Sequence, residues 1–358
     1  MPRGMPRRLL LPFAAAAFFL LATPIACSSA GLSKPAPDNV DEPDDSTEDP
    51  ESDGGSVTVD GIKTTDKVRV FVQPGAKLTE LLAAIKGAKT SIHLTIYILT
   101  SSEVIDALIA QKKAGIEVQV ILNKTFPDGS NQTKTFDRLK KGGIEVVWAT
   151  ASLTFTHSKC LIIDKQEAWI MTMNLTETSP FDNREYLAVV DDPKDVDQAE
   201  AVFQGDFTGI PKASNGKLIV APVNAESSLI QLIDEAKTAV DIEGESFGDY
   251  DITKALIRAK KRGLMVRLVT SDGTLSDTEV EEFASLKAAG IPIVRLSKPY
   301  VHAKALVADG KKAYVGSANF TYNSLTFNRE IGVVIGAKAA VSLVGTTIAQ
   351  DFTAGRPY

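Results

Sequence analysis

From residue 65 to the C-terminus the chain alternates short apolar runs with segments of helical periodicity. Val68–Val72, Ser91–Leu99, Glu117–Leu122 and Ile144–Trp148 read as strands, and Leu78–Ala88, Glu103–Lys113 and Thr133–Lys141 as helices. The series then restarts. Strands are predicted at Leu218–Pro222, Val240–Glu243, Met265–Thr270 and Ile291–Arg295, with helices at Glu226–Ala236 and Ile252–Lys261. A further helix is opened by Ser276 and Glu279 at capping-box spacing. This alternation predicts an α/β fold with mostly parallel central sheets covered on both faces. Its recurrence after 145 residues predicts two tandem halves, 65–210 and 211–358, rather than a solenoid, whose period would be several-fold shorter.

Ahead of residue 65 the pattern changes. Arg3, Arg7 and Arg8 precede an apolar run, Leu9–Leu21, whose length suits a secretory signal and falls short of the ~20 residues a spanning helix needs. The sequence Pro24-Ile25-Ala26-Cys27 predicts cleavage before Cys27 and lipidation of that cysteine, so 1–26 reads as a lipoprotein-type signal peptide. Cleavage near Ala30, giving a simple secreted protein, is the alternative. Either route predicts an exported chain, held at the cell envelope if it is lipidated. Residues 27–64 set Pro35, Pro37, Pro43 and Pro50 among Asp, Glu, Ser and Gly, and read as a disordered acidic tether.

Composition sharpens this picture in three places. Hydrophobic residues make up 44% of the 358 residues, enough for a sizeable core. Two cysteines and three histidines argue against a disulfide scaffold, a cysteine-rich zinc site or a multi-histidine cage. The net charge of -6 is local, because residues 1–60 hold 4 basic and 10 acidic residues and the remainder balances. A balanced folded region argues against a protein that coats nucleic acid by charge alone.

The repeat is sharpest at two histidines. His157 is followed by Lys159 and Asp164, and His302 by Lys304 and Asp309, each as His-x-Lys with Asp seven positions after His. Asn174 and Asn319 follow their histidines by 17 positions, and Glu185 and Glu330 by 28. Chance does not reproduce four matched offsets in two copies. In a strand, residues i and i+2 share a face, so each His and Lys are expected to point together. The Asp residues fall at odd spacing and are expected to serve structure, through an ion pair or a turn. His93 sits in the alternating run Ile92–Ile98 and reads as structural, as does Cys160.

These motifs resemble the phospholipase D superfamily, whose signature is a doubled His-x-Lys-x4-Asp. Its Gly-Ser-x-Asn element is matched by Gly316-Ser317-Ala318-Asn319, whereas the first half has Met171-Thr172-Met173-Asn174. There the Thr172 hydroxyl could keep a phosphate contact, as Ser317 could, while the tight turn allowed by glycine would be lost. The resemblance implies two halves related by a pseudo-twofold axis with one active site at their interface. It implies His157 as nucleophile and His302 as acid, with a phosphohistidine intermediate. Chemically, Glu185 would orient His157 and Glu330 would orient His302, while Lys159, Lys304, Asn174 and Asn319 surround the phosphate. Neither a cofactor nor a metal is expected.

The leading expectation is hydrolysis of phospholipid phosphodiesters to phosphatidic acid and a free head-group alcohol, at a membrane surface reached through the N-terminal lipid. The alternatives are a metal-independent endonuclease acting on nucleic acid, a phosphatidyltransferase, and an inactive surface-binding protein.

Overall fold

The computed structural model describes residues 61–210 and 216–358. Residues 1–60, including Cys27 and the stretches read above as a signal peptide and a tether, lie outside the described residues. Residues 61–64, read above as the end of the tether, are already docked on the second half. The Ile62 N–H donates to Glu235 Oε1 at 2.8 Å, and Thr65 N–H donates to the Val334 carbonyl.

The first half runs β1 (Val68–Gln73), α1 (Thr79–Gly87), β2 (Ser91–Ile96), α2 (Ser102–Lys113), β3 (Glu117–Leu122), α3 (Thr133–Lys141) and β4 (Glu145–Trp148). It continues with β5 (Cys160–Ile163), β6 (Glu167–Met171), α4 (Ser179–Asp182), β7 (Asn183–Val190) and α5 (Pro193–Phe207). The second half opens with β8 (Ile219–Ala221), α6 (Ala225–Glu235), β9 (Ala239–Gly244), β10 (Phe247–Gly248), α7 (Tyr250–Lys261), β11 (Met265–Ser271), α8 (Asp277–Ala288) and β12 (Ile293–Leu296). It ends with β13 (Tyr300–Val301), β14 (Lys304–Ala308), β15 (Lys312–Gly316), β16 (Phe320–Thr321), α9 (Tyr322–Thr326), β17 (Glu330–Ile335), α10 (Lys338–Ala354) and β18 (Arg356–Pro357).

Each half is α/β, as the alternation predicts. Along the main order of each sheet the parallel pairs are those joined through helices, β2–β3–β4 in one sheet and β9–β11–β12 in the other, and the short strands β10–β16 and β13–β7 add two more parallel pairs. The connections β5–β6 and β14–β15 are too short for a crossover, so these strands pair antiparallel and widen each sheet into a mixed one. The order β1-β7-β6-β5-β2-β3-β4 is mirrored by β8-β17-β15-β14-β9-β11-β12, with β18 added at the far edge.

Packing follows from the all-buried strands. β2, β5, β14 and β17 have no exposed residue, which requires cover on both faces. Outer faces pack on α1–α3 in one half and α6–α8 in the other. The inner faces share one apolar cluster, in which Ile170 and Ala188 of the first sheet meet Val315 and Val333 of the second, with α5 and α10 at its flanks. Sharing a core fixes the halves relative to each other, and so fixes whatever they build between them.

Candidate active site

Both histidines stand where the chain enters a central strand. His157 and Lys159 precede β5, while His302 precedes β14 and Lys304 begins it. The segments carrying them cross to the opposite half. β13 pairs in parallel with β7, Tyr300 against Asn183 and Val301 against Arg184. The equivalent bridge joins Thr156 to Arg329. His157 N–H then donates to the Arg329 carbonyl at 2.9 Å, and His302 N–H to the Arg184 carbonyl at 3.2 Å.

This crossing corrects the expected carboxylate pairing. Glu330, not Glu185, holds His157, with Nδ1 at 2.9 and 3.0 Å from its two oxygens. Glu185, not Glu330, faces His302, with Oε1 2.7 Å from Nδ1. That distance is an ion pair's, but the ring N–H is not aligned along it as a hydrogen bond. Each imidazole enters beside the residue preceding the other half's glutamate, so the carboxylate within reach is the foreign one. A second correction concerns the hydroxyls expected to touch phosphate. Thr172 Oγ1 donates to Glu185 Oε2 at 2.5 Å and Ser317 Oγ to Glu330 Oε2 at 2.6 Å. Asn183, Ser324 and Asn328 complete the two carboxylate cages.

Lys159 and Lys304 are wholly buried, and each ammonium donates to the carbonyl of its own histidine at 2.5 Å. Asn174 and Asn319 follow β6 and β15 and are buried too. Asn319 N–H donates to Ser324 Oγ at 3.0 Å, and its Oδ1 is left without a partner. An unsatisfied buried polar atom in this position fits a site that completes its hydrogen bonding when occupied.

Burial dominates the electrostatics of His157. Desolvation pushes the imidazole down to about 4, against the pull of Glu330, and Lys159 and Lys304 push further in the same direction. Glu330 is buried, which disfavours its charge, yet His157, Lys159 and Ser317 hold it below the usual carboxylate range. At neutral pH His157 is therefore neutral, and its Nδ1 proton is held by an ionised Glu330. That tautomer leaves the lone pair on Nε2.

Asp164 and Asp309 are structural, as expected, by way of a turn and not an ion pair. Both have left-handed backbones (φ 55° and 56°). Asp164 accepts from the N–H groups of Lys89, Thr90 and Ser91, and Asp309 from those of Lys237, Thr238 and Ala239, so each locks the start of a central strand. His93 is buried, stacked on Phe203 and 2.8 Å from Glu200, and Cys160 is a buried thiol pushed up to about 12 by burial. Gly316 does not form the tight turn proposed for it. It ends β15 without a left-handed backbone, and a Cβ there would meet the Tyr314 hydroxyl and lie 2.7 Å from Gly332 Cα. The first half fills this place with buried Met171 and Leu187 beside Trp169, so losing the glycine there changes packing and not the turn.

Sequence reasoning missed Glu245. It follows β9, is buried, and lies 2.8 Å from Lys304 Nζ and 3.4 Å from His302 Nε2. The available signal was the pair Glu243 and Glu245 in a run of core residues, where a carboxylate needs a partner. Burial opposes its charge, but His302, Lys304 and, more weakly, His157 bring it down to about 2. One carboxylate thus feels both imidazoles, as expected for a single shared site.

The arrangement offers a neutral imidazole nucleophile, a second imidazole set between carboxylates, and two buried ammonium groups. That set suits attack on a phosphodiester. Residues 81–207 and again 229–352 match the family described as "Cardiolipin synthase, PLD-like domain", once in each half. The minor cardiolipin synthase ClsB of Bacillus subtilis (strain 168) is 27% identical over 320 residues, covering 78% of this chain and 80% of that protein. Cardiolipin synthase 1 of Bacillus anthracis is 26% identical over 365 residues, covering 84% of this chain and 68% of the relative. Among solved structures, the phosphatidylserine synthase of Haemophilus influenzae Rd KW20 shares the fold, with TM-score 0.63 and 9% identity over 83% of this chain and 88% of its own. So does the polyphosphate kinase of Porphyromonas gingivalis, with TM-score 0.63 and 17% identity over 79% of this chain and 46% of its own.

Proposed function

The chain belongs to the phospholipase D superfamily, and from that premise we propose that it is a phosphatidyltransferase of the cardiolipin synthase type. The observation carrying this reading is the likeness to cardiolipin synthases across both halves, together with two complete His-Lys-Asn-Glu sets at one interface. It displaces hydrolysis as the leading expectation. Cardiolipin synthesis needs two lipids brought to the site, and among the described residues no helix is long and apolar enough to cross a membrane. A site held at the bilayer by an N-terminal lipid would meet the same need.

His157 Nε2 attacks phosphorus of a donor phospholipid, and the bond from phosphorus to the head-group oxygen breaks. His302 gives its proton to that oxygen, and the phosphatidyl group stays on His157. An acceptor hydroxyl then returns a proton to His302 and attacks the same phosphorus, releasing His157. Lys159, Lys304, Asn174 and Asn319 surround the non-bridging oxygens, where negative charge grows. When the acceptor is phosphatidylglycerol the product is cardiolipin; when it is water, the product is phosphatidic acid.

Purified chain in EDTA, mixed with phosphatidylglycerol vesicles and plasmid, tests the reading. Cardiolipin and free glycerol in equal amounts, with the plasmid intact, are expected. Phosphatidic acid as the main product would return the assignment to hydrolysis, and nicked plasmid with unchanged lipid would give it to the nuclease.

The pH dependence follows from His157. Protonation removes the Nε2 lone pair, and burial delays protonation to about pH 4. On the acid side, kcat/KM should hold its plateau as pH falls through 6.5 and fall only near 4. An acid limb at 6.5 would place the nucleophile in solvent-like surroundings. The lipid anchor is part of the same proposal: globomycin, which blocks processing of lipidated precursors, should raise the mass of the cellular chain, and an unchanged mass would remove Cys27 from it.

A further inference from the structure

Sheet register identifies residues that hold the same place in the two halves. Thr95 pairs with Cys160 in the first sheet, and Glu243 with Ala305 in the second. Cys160 and Ala305 each lie three positions after their histidine, so Glu243 is the counterpart of Thr95 and Glu245 that of Tyr97. In the first half the Tyr97 ring lies 4.6 Å from the His157 ring and 5.1 Å from Lys159 Nζ. Phe155 packs edge-on against it at 5.9 Å. In the second half the Glu245 carboxylate takes the place of that ring. Tyr300, the counterpart of Phe155, donates its hydroxyl to Glu245 Oε1 at 3.3 Å. Two aromatic side chains in one half are thus answered by a carboxylate and a phenol that binds it.

The location of the carboxylate gives it a role. The chemistry proposed above needs a lysine ammonium and an imidazole Nε2 against the phosphate. Glu245 Oε2 already touches both groups of the second half, at 2.8 Å and 3.4 Å. We propose that Glu245 is a built-in anion filling the phosphate position of the second half, so that the two His-Lys pairs receive substrate unequally and phosphorus is delivered to His157. The inference rests on the phosphodiester reading of the site. Glu245 is faced by His302, Lys304 and Tyr300 from its own half and by His157 across the interface; Glu185 lies on the other ring nitrogen of His302. An incoming diester must share Lys304 with this carboxylate or push it aside, whereas an uncharged ring meets it at His157. Glu245 acts through His302 and Lys304 as a positioning residue. It breaks a symmetry that the repeated motifs leave intact.

Inorganic phosphate titrated into the full chain at neutral pH tests this, with the imidazole nitrogens of His157 and His302 followed by NMR. Wild type, Glu245→Gln and Glu245→Tyr are compared, the last installing the first-half residue. In wild type, phosphate should shift His157 at lower concentration than His302. In both variants it should bind at least about tenfold more tightly, as expected when a buried like charge is removed, and the two rings should respond together. Unchanged affinity, or tighter binding with the order of response preserved, would overturn the proposal. If no form binds phosphate, the phosphodiester reading fails, and the proposal with it.

Discussion

Replacing His157 with Asn should lower kcat/KM by about 10⁴-fold, a loss of about 5 kcal/mol of transition-state stabilisation at 1.36 kcal/mol per decade. The size follows from the chemistry. Asn retains volume and polarity at a buried position but cannot form the covalent intermediate, and no other described residue presents a neutral imidazole held by Glu330. His302→Asn should fall as far in turnover with a natural head group. It should recover in part with a donor whose leaving group needs no proton, such as p-nitrophenol, because an acid is then dispensable. His157→Asn should show no such recovery. Steady-state kinetics with the two donor types checks both claims, and equal rescue of the two variants would mean their roles are shared.

The largest effect on stability is expected away from the histidines. Arg329→Ala should destabilise the fold by about 3–5 kcal/mol, as breaking a buried ion pair does when one charge is left alone. Arg329 makes a two-pronged contact with Asp206, 2.8 and 2.9 Å, and donates to the Ala221 carbonyl at 2.9 Å, with both side chains almost fully buried. Burial already holds the Asp206 carboxyl above its usual range, and Arg329 is what restrains it. The backbone of Arg329 also receives His157 N–H, so the change loosens the crossing segment as well. Arg69→Ala is the contrasting case. Its pair with Glu167 is exposed and should be worth about 0–1 kcal/mol. Urea unfolding of the two variants separates these magnitudes, and similar midpoints would contradict the assignment of Arg329 to the core.

Much of this was legible in the sequence because the duplication writes each site residue twice. The four offsets placed the paired histidines, lysines, asparagines and glutamates of the two motifs, and the strand–helix alternation placed the elements that carry them. Partnership was not legible. Glu185 is nearer in sequence to His157 than Glu330 is, and nothing local says that each motif crosses to the opposite half; that follows from pairing β13 with β7. The hydroxyls of Thr172 and Ser317 were assigned to phosphate on residue type, although the buried glutamates beside them need donors more strongly. Glu245 was hidden for another reason. The segment between its strand and its histidine is three residues shorter than in the first half, so Tyr97 and Glu245 miss the repeat offset and become counterparts only through sheet register.

The most direct test of the shared site is the Nδ1 proton of the His157 imidazole, observed by NMR at low temperature in wild type, Glu330→Gln and Glu185→Gln. A carboxylate acceptor at 2.9 Å should move this proton far downfield. The resonance should persist in Glu185→Gln and lose its downfield shift in Glu330→Gln. Loss in Glu185→Gln with survival in Glu330→Gln would mean that each half orients its own histidine, and that the two halves do not build one centre in the way described.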